Sequence, residues 1–236
     1  MKIVTIHQPE HLSYLGFFHK VSLADTLVVL DNVAFEKNYF QNRNRINTNK
    51  GEEFITIPVS VGSSDCLIKD VKIADEFMRS VMRKNIETIL LAYKKCRYFE
   101  LYFEEFVNIY SSNFSTLSEL NLALMRFIFY KLGISTKIVL ASSLNVSGSK
   151  TDLLVNILDV VGADKYISGC SGKDYLEMEK FRIPVEFQNF KHPVYTQYGK
   201  NTFTPYLSII DALFNVGGEI TNIINHANGK GKGKGN

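Results

Sequence analysis

Short apolar runs and polar breaks alternate along the first third of the chain. Met1 to Ile6 is β-branched and apolar, the length and texture of a buried strand. Leu12 to Leu23 is amphipathic, and Thr26 to Leu30 is a second apolar run that stops on Asp31-Asn32. Read together these make a strand-helix-strand unit. Asn47 to Glu52 reads as a turn, Phe54 to Val59 as a strand, and Cys66 to Val71 as a shorter one. The period then changes. Met78 to Lys94 places Val81, Ile86, Ile89 and Leu90 at helical spacing, and Phe99 to Tyr110 and Leu117 to Leu132 follow the same rule. No proline falls between Pro58 and Pro184, so residues 73–134 form a largely helical middle, an insertion or a layer over one face of a sheet. Strand character returns at Lys137 to Ala141, Lys165 to Ser168 and Val185 to Phe187. Helices are predicted at Thr151 to Val161, Gly172 to Glu179 and Tyr206 to Phe214. The pattern predicts one α/β domain over residues 1–228, with a Rossmann-like, mostly parallel sheet.

In such sheets ligands sit outside the carboxyl ends of the strands. The first strand ends in His7-Gln8-Pro9-Glu10-His11. A neutral imidazole can give or take a proton near pH 7, and Gln8 can hold an amide or hydroxyl. The competing reading is a histidine that hydrogen-bonds its own turn. Pro9 rules out a regular helix across His7 and His11, so no metal site is expected there. Asp31 ends the second strand, and Lys37, Asn42, Arg43 and Asn44 follow. Asp31 could act as a base or position a hydroxyl. Arg43 could grip carboxylate or phosphate, and the two asparagines suit sugar hydroxyls. His7, Asp31 and Arg43 are expected to line one cleft. At the end of a later strand stands Ser168-Gly169-Cys170-Ser171-Gly172-Lys173, a small-residue turn with a lysine, suited to phosphate or to plain turning. His192, in a loop before Pro193, is a further candidate. So is Asp211, which shares a helix face with Asn215.

These residues also carry a resemblance. Ile6-His7-Gln8-Pro9, Leu15-Gly16-Phe17-Phe18 with Lys20, Ala24-Asp25, Leu30-Asp31, Phe35-x-Lys37 and Asn42-Arg43-Asn44 resemble the WbqC-like protein family. So do Leu132-Gly133-Ile134, Gly148-x-Lys150-Thr151, Gly162-Ala163-Asp164, Tyr166-x-Ser168-Gly169, Ser171 to Leu176 and Leu207 to Asn215. The resemblance spans about residues 1–218. Three positions depart from it: Asn32 where a second Asp is expected, His11 where an aromatic is expected, and Cys170 where a Pro is expected. Asn32 argues against a two-carboxylate role at that strand end, and Cys170 against a family-wide nucleophile. The resemblance implies work in O-antigen or other surface polysaccharide synthesis, with transfer of a glycyl or other acyl group to a sugar. A fainter resemblance is to nucleotidyltransferases with a His-x-Gly-His motif after their first strand. Here Glu10 stands where that motif has its glycine.

Composition sets outer limits. At 236 residues, 45% hydrophobic and 22% charged, the chain is ordinary globular material with a sizeable core. The net charge of +3 comes from Lys230, Lys232 and Lys234; without them basic and acidic residues balance at 24 each. The Gly/Lys tail, 229–236, is expected to be disordered, and the neutral body argues against a nucleic-acid partner. Cys66, Cys96 and Cys170 have neither metal nor disulfide spacing. No signal peptide or membrane span is visible, so a cytoplasmic location is expected.

Three functions follow as expectations. The first is an acyl- or aminoacyl-transferase acting on an amino sugar, itself nucleotide-linked. His7 or Asp31 would be its base, Gln8 and Asn42 would orient the carbonyl, and Arg43 and Lys173 would hold phosphate. Amide formation from a free acid is uphill in water, so coenzyme A, a carrier protein or ATP must activate the donor. The second is an ATP-using nucleotidyltransferase-like enzyme. The third is a non-catalytic sugar-nucleotide-binding or scaffold protein.

Overall fold

A computed structural model describes residues 1–200 and 202–227; the Gly/Lys tail lies outside the described residues. The chain opens with β1 (Ile3–His7), α1 (Leu15–Ser22) and β2 (Thr26–Val29), the predicted strand-helix-strand unit. A hairpin of β3 (Arg43–Thr48) and β4 (Gly51–Thr56) follows, then the short antiparallel pair β5 (Val59–Ser60) and β6 (Lys72–Ile73). The helical middle is α2 (Asp75–Tyr93), α3 (Phe99–Tyr110) and α4 (Leu117–Leu132). Next come β7 (Lys137–Leu140), α5 (Lys150–Val161), β8 (Lys165–Ser168) and β9 (Val185–Phe187), and last α6 (Ile209–Val216) and α7 (Ile220–Ala227).

The main sheet is parallel throughout, in the order β7-β2-β1-β8-β9. β1 and β2 sit at its centre, which is why they read as nearly unbroken apolar runs. Their side chains alternate between two cores. Val4, Ile6 and Val28 pack with Leu153, Ile157 and Leu158 of α5. Leu27 and Val29 face Phe17, Phe18 and Val21 of α1 and, beyond them, the helical middle and α6. The middle is therefore a layer over one face. Local signals bound its last helix: Thr116 and Glu119 form a capping box, and Gly133 closes α4 at φ 64°. No described helix is long and apolar enough to cross a membrane.

Three segments differ from the periodicity. The turn predicted at 47–52 and the strand predicted from Phe54 are one hairpin, tightened at Asn49-Lys50 between paired Thr48 and Gly51. Its first strand is disguised by Asn44 and Asn47, whose side chains are buried and bonded inward rather than solvated. Residues 172–179 form no α-helix. A 3₁₀ turn runs from Cys170 to Asp174 and another from Met178 to Lys180. With Leu176 as its one buried large apolar side chain, the stretch lacks the packing that offsets helix nucleation. Cys66 to Val71 contains a 3₁₀ turn, Ile68–Asp70, and the strand begins one residue after Val71.

Candidate active-site crevice

Counted in chain order within the sheet, the strands run 3-2-1-4-5, so the strand order reverses between β1 and β8. A crevice outside the carboxyl ends of such a pair is where open α/β sheets bind ligands. A cleft of about 640 Å³ opens there, with His7, Gln8 and Glu10 from the end of β1 on one side and Ser168 to Gly172 from the end of β8 on the other.

Its most polar feature is a line of three ionisable groups. Lys20 is 3% exposed on α1, and its Nζ lies 3.0 Å from His7 Nδ1 and donates to the Ile6 carbonyl at 3.3 Å. On the far side of the ring, His7 Nε2 is 3.2 Å from Glu10 Oε1. Phe17, one helical turn before Lys20, packs on the imidazole at a centroid distance of 5.0 Å. Burial pushes the Lys20 ammonium down to about 8, against the pull of Glu10 and Cys170. Burial, and then Lys20, lower His7, with Glu10 opposing. Burial pushes Glu10 upward, but His7, Ser13 and Lys20 outweigh it and hold the carboxyl below its ordinary value.

The turn that carries Glu10 is held by amides. Asn44 Nδ2 donates to the carbonyls of His11 at 3.1 Å and Leu12 at 2.9 Å, and Gln41 Nε2 donates to Gln8 Oε1 at 2.8 Å. Tyr14, Tyr39, Tyr175 and Tyr206 also line the cleft. A Cβ on Gly16 would stand 2.4 Å from the Tyr14 ring, so the glycine leaves room for that tyrosine. Gly172 likewise brings its backbone against Ser168, where a Cβ would lie 2.2 Å from Oγ. Two lining residues hold left-handed backbone without being glycine, Lys150 at φ 49° and Tyr206 at φ 60°. Strain of this kind gathers at binding sites, where surrounding structure enforces it.

Of the residues singled out from sequence, His7, Gln8, Asn44, Ser168, Gly169, Ser171 and Gly172 line the cleft, while the others face elsewhere. Asp31, expected beside His7, turns to β7's end and accepts from Ser142 N at 2.8 Å and Ser142 Oγ at 2.7 Å, which ties two strand ends together. Arg43 lies over Phe54 on the hairpin, 4.4 Å from the ring centroid. The expected meeting of His7, Asp31 and Arg43 in one cleft therefore does not occur. Asn42 donates to the Ile57 carbonyl at 3.0 Å, Lys37 is exposed, and Lys173 lies over the Phe187 ring at 5.5 Å. His192 sits among Phe190, Tyr195, Phe203 and Tyr206. Asp211 is buried and accepts from Tyr93, Tyr195 and Gln197. Lys20, Tyr14, Lys150, Gln188 and Tyr206 join the cleft unannounced by strand-end reasoning, and so does Glu10, which stood in the strand-end run without a role. Lys20 lies in a helix that is buried from Leu15 to Val21, so it is not a solvated surface charge. Among the described residues no three His, Cys, Asp or Glu side chains group as metal ligands.

Fold and crevice define an α/β protein with a strand-end site at its topological switch point. The chain belongs to the WbqC-like protein family, whose sequence model matches residues 8–223. It is similar to the uncharacterised protein Rv1507c of Mycobacterium tuberculosis, with 30% identity over 224 residues, 93% of this chain and 96% of that one. No solved structure matches the chain significantly.

Proposed function

We propose that the protein is a transferase that moves an acyl or aminoacyl group, glycyl among them, onto an amino sugar carried on a nucleotide, in the cytoplasmic assembly of O-antigen or another surface polysaccharide. The observation that carries this reading is the Lys20–His7–Glu10 line set in the switch-point crevice. Amide transfer needs a group that removes protons from an ammonium, and this line holds a carboxylate and ring N–H side by side. In the reaction a nitrogen–carbon bond forms and the bond from acyl carbon to its carrier breaks. The carrier leaves with the electron pair, as thiolate from a coenzyme A or carrier-protein thioester or as phosphate from an ATP-activated acid. One ammonium proton goes to the enzyme's base and a second to the departing thiolate or phosphate. Lining tyrosines suit a sugar or base ring, and Lys150 and Gly169 to Gly172 suit a diphosphate.

A thermal-shift panel tests the reading, since ligands that bind the native state raise its melting temperature. UDP- and dTDP-linked amino sugars are expected to raise it, and mass spectrometry with an acyl thioester should then show a new amide. A shift by ATP with magnesium alone would favour nucleotidyl transfer, the reading that the 3-2-1-4-5 strand order also accommodates.

A further inference from the structure

We propose that Lys20 is a positioning residue that locks His7 as the Nε2–H tautomer, so that the ring N–H is turned to Glu10 and Glu10, not His7, is the proton acceptor of the site. This deepens the transfer reading above and rests on it for its catalytic meaning; the tautomer itself does not depend on any substrate.

The argument is one of donors and acceptors. An ammonium has three donors and no acceptor. Lys20 Nζ, 3.0 Å from His7 Nδ1, can hydrogen-bond that nitrogen only if Nδ1 carries a lone pair. A neutral ring then carries its proton on Nε2, the atom that faces Glu10 Oε1 at 3.2 Å. A protonated Nδ1 would set two donors against each other in a place where Lys20 is 3% exposed and has little water to turn to. His11, four residues on, holds the opposite arrangement. Asn121 spends its Nδ2 on the Gln41 carbonyl, so its Oδ1 accepts from His11 Nδ1 at 3.0 Å. Sequence neighbours are thus set in different tautomers by their partners.

The charged and titratable groups around the line are Lys20 from α1, Glu10 and Tyr14 from the turn after β1, Cys170 from the end of β8, and Tyr39 and Tyr206 from loops that line the cleft. Lys20 opposes a positive charge on His7 and Glu10 favours one. The ring is therefore a poor base by construction: its free nitrogen is capped and its protonation is opposed. Glu10, ionised and lining the cleft, is left to accept the proton of an incoming ammonium, while His7 Nε2–H, buried and facing Glu10 Oε1 at 3.2 Å, steadies that carboxylate.

The test is ¹⁵N NMR of protein labelled at histidine, with the His7 signal identified by its loss in His7→Gln. The wild type is expected to show His7 with Nδ1 unprotonated and Nε2 protonated above its titration. Lys20→Met should raise the His7 titration point and Glu10→Gln should lower it. The opposite signs distinguish this wiring from a general loss of structure, and each variant serves if the other does not fold. An Nδ1–H tautomer in the wild type, or a His7 titration unmoved in whichever variant folds, overturns the proposal. If UDP-linked amino sugars do not bind while the tautomer and both shifts are as expected, the transfer reading fails and the positioning role of Lys20 stands.

Discussion

Asp211 and Glu10 are both carboxylates set among aromatic rings, and they could hardly be used more differently. Asp211 is buried in the core from the first turn of α6. Its Oδ1 accepts from Tyr93 OH at 3.0 Å, and its Oδ2 accepts from Tyr195 OH at 2.8 Å and Gln197 Nε2 at 2.9 Å. Every partner is neutral and every lone pair is directed inward. Glu10 lies in a crevice beside a histidine and a buried lysine, and it lines open space. A satisfied buried carboxylate ties elements together; a carboxylate among ionisable neighbours at a cleft is available for chemistry. Residue type did not separate the two, because Asp211 looked as eligible as any acid on a helix face.

The strongest way to break the comparison is to remove each acid. Asp211→Ala takes the acceptor from two phenols in the core and one of two acceptors from the Gln197 amide. It should cost about 3–5 kcal/mol in urea unfolding, since each unsatisfied buried group forfeits ~1–3 kcal/mol. Glu10→Ala takes the counter-charge from a buried lysine that can still shed its proton, so it should cost less, about 1–2 kcal/mol. Equal losses at the two sites would erase the distinction.

Acid should find the core before it finds the crevice. His11 is fully buried, 5.8 Å from the Tyr110 ring, and burial pushes its pKa down from 6.5 to about 4. The unfolded chain then takes up the proton first. Stability from this group is whole above about pH 6.5 and falls as pH drops toward 4, by on the order of 3 kcal/mol in all. Urea midpoints at pH 7, 6 and 5 should decline in wild type and decline less in His11→Phe.

Two smaller tests address the cleft wall. Gly16→Ala must displace the Tyr14 ring, because the new methyl would stand 2.4 Å from it. Its effect should be a loss of about 1 kcal/mol in affinity for the amino-sugar nucleotide that the thermal-shift panel identifies. Tyr206→Asn relieves a left-handed backbone at φ 60° and should stabilise the fold by about 0.5–1 kcal/mol while weakening binding. Unchanged binding in both would remove the tyrosines from recognition.

The α/β frame was legible because central parallel strands must be apolar on both faces, and Ile3 to Ile6 and Thr26 to Val29 are. β3 was not, because Asn44 and Asn47 are buried and bond backbone or side-chain partners, which a polar pattern presents as a loop. At the site, His7 and the Ser168 to Gly172 turn were legible from their place at strand ends. Asp31 misled for the same reason: a strand end says where a side chain begins, and Ser142 decides where it points. Lys20 met His7 only through the packing angle of α1 on the sheet, which no linear spacing records.

The crevice joins distant parts of the chain: Thr5 on β1 donates to the carbonyl of Ile167 on β8, across 162 residues. A ribosome adding ~5–20 residues per second needs roughly 8–32 s to make that interval. Throughout it β1 can pair with β2, but its other edge waits, apolar and unpaired, for a partner not yet made. The geometry that places the site at the middle of the sheet thus makes it one of the last features to exist in each new molecule. It also makes the growing chain stickiest along the seam where the finished protein binds.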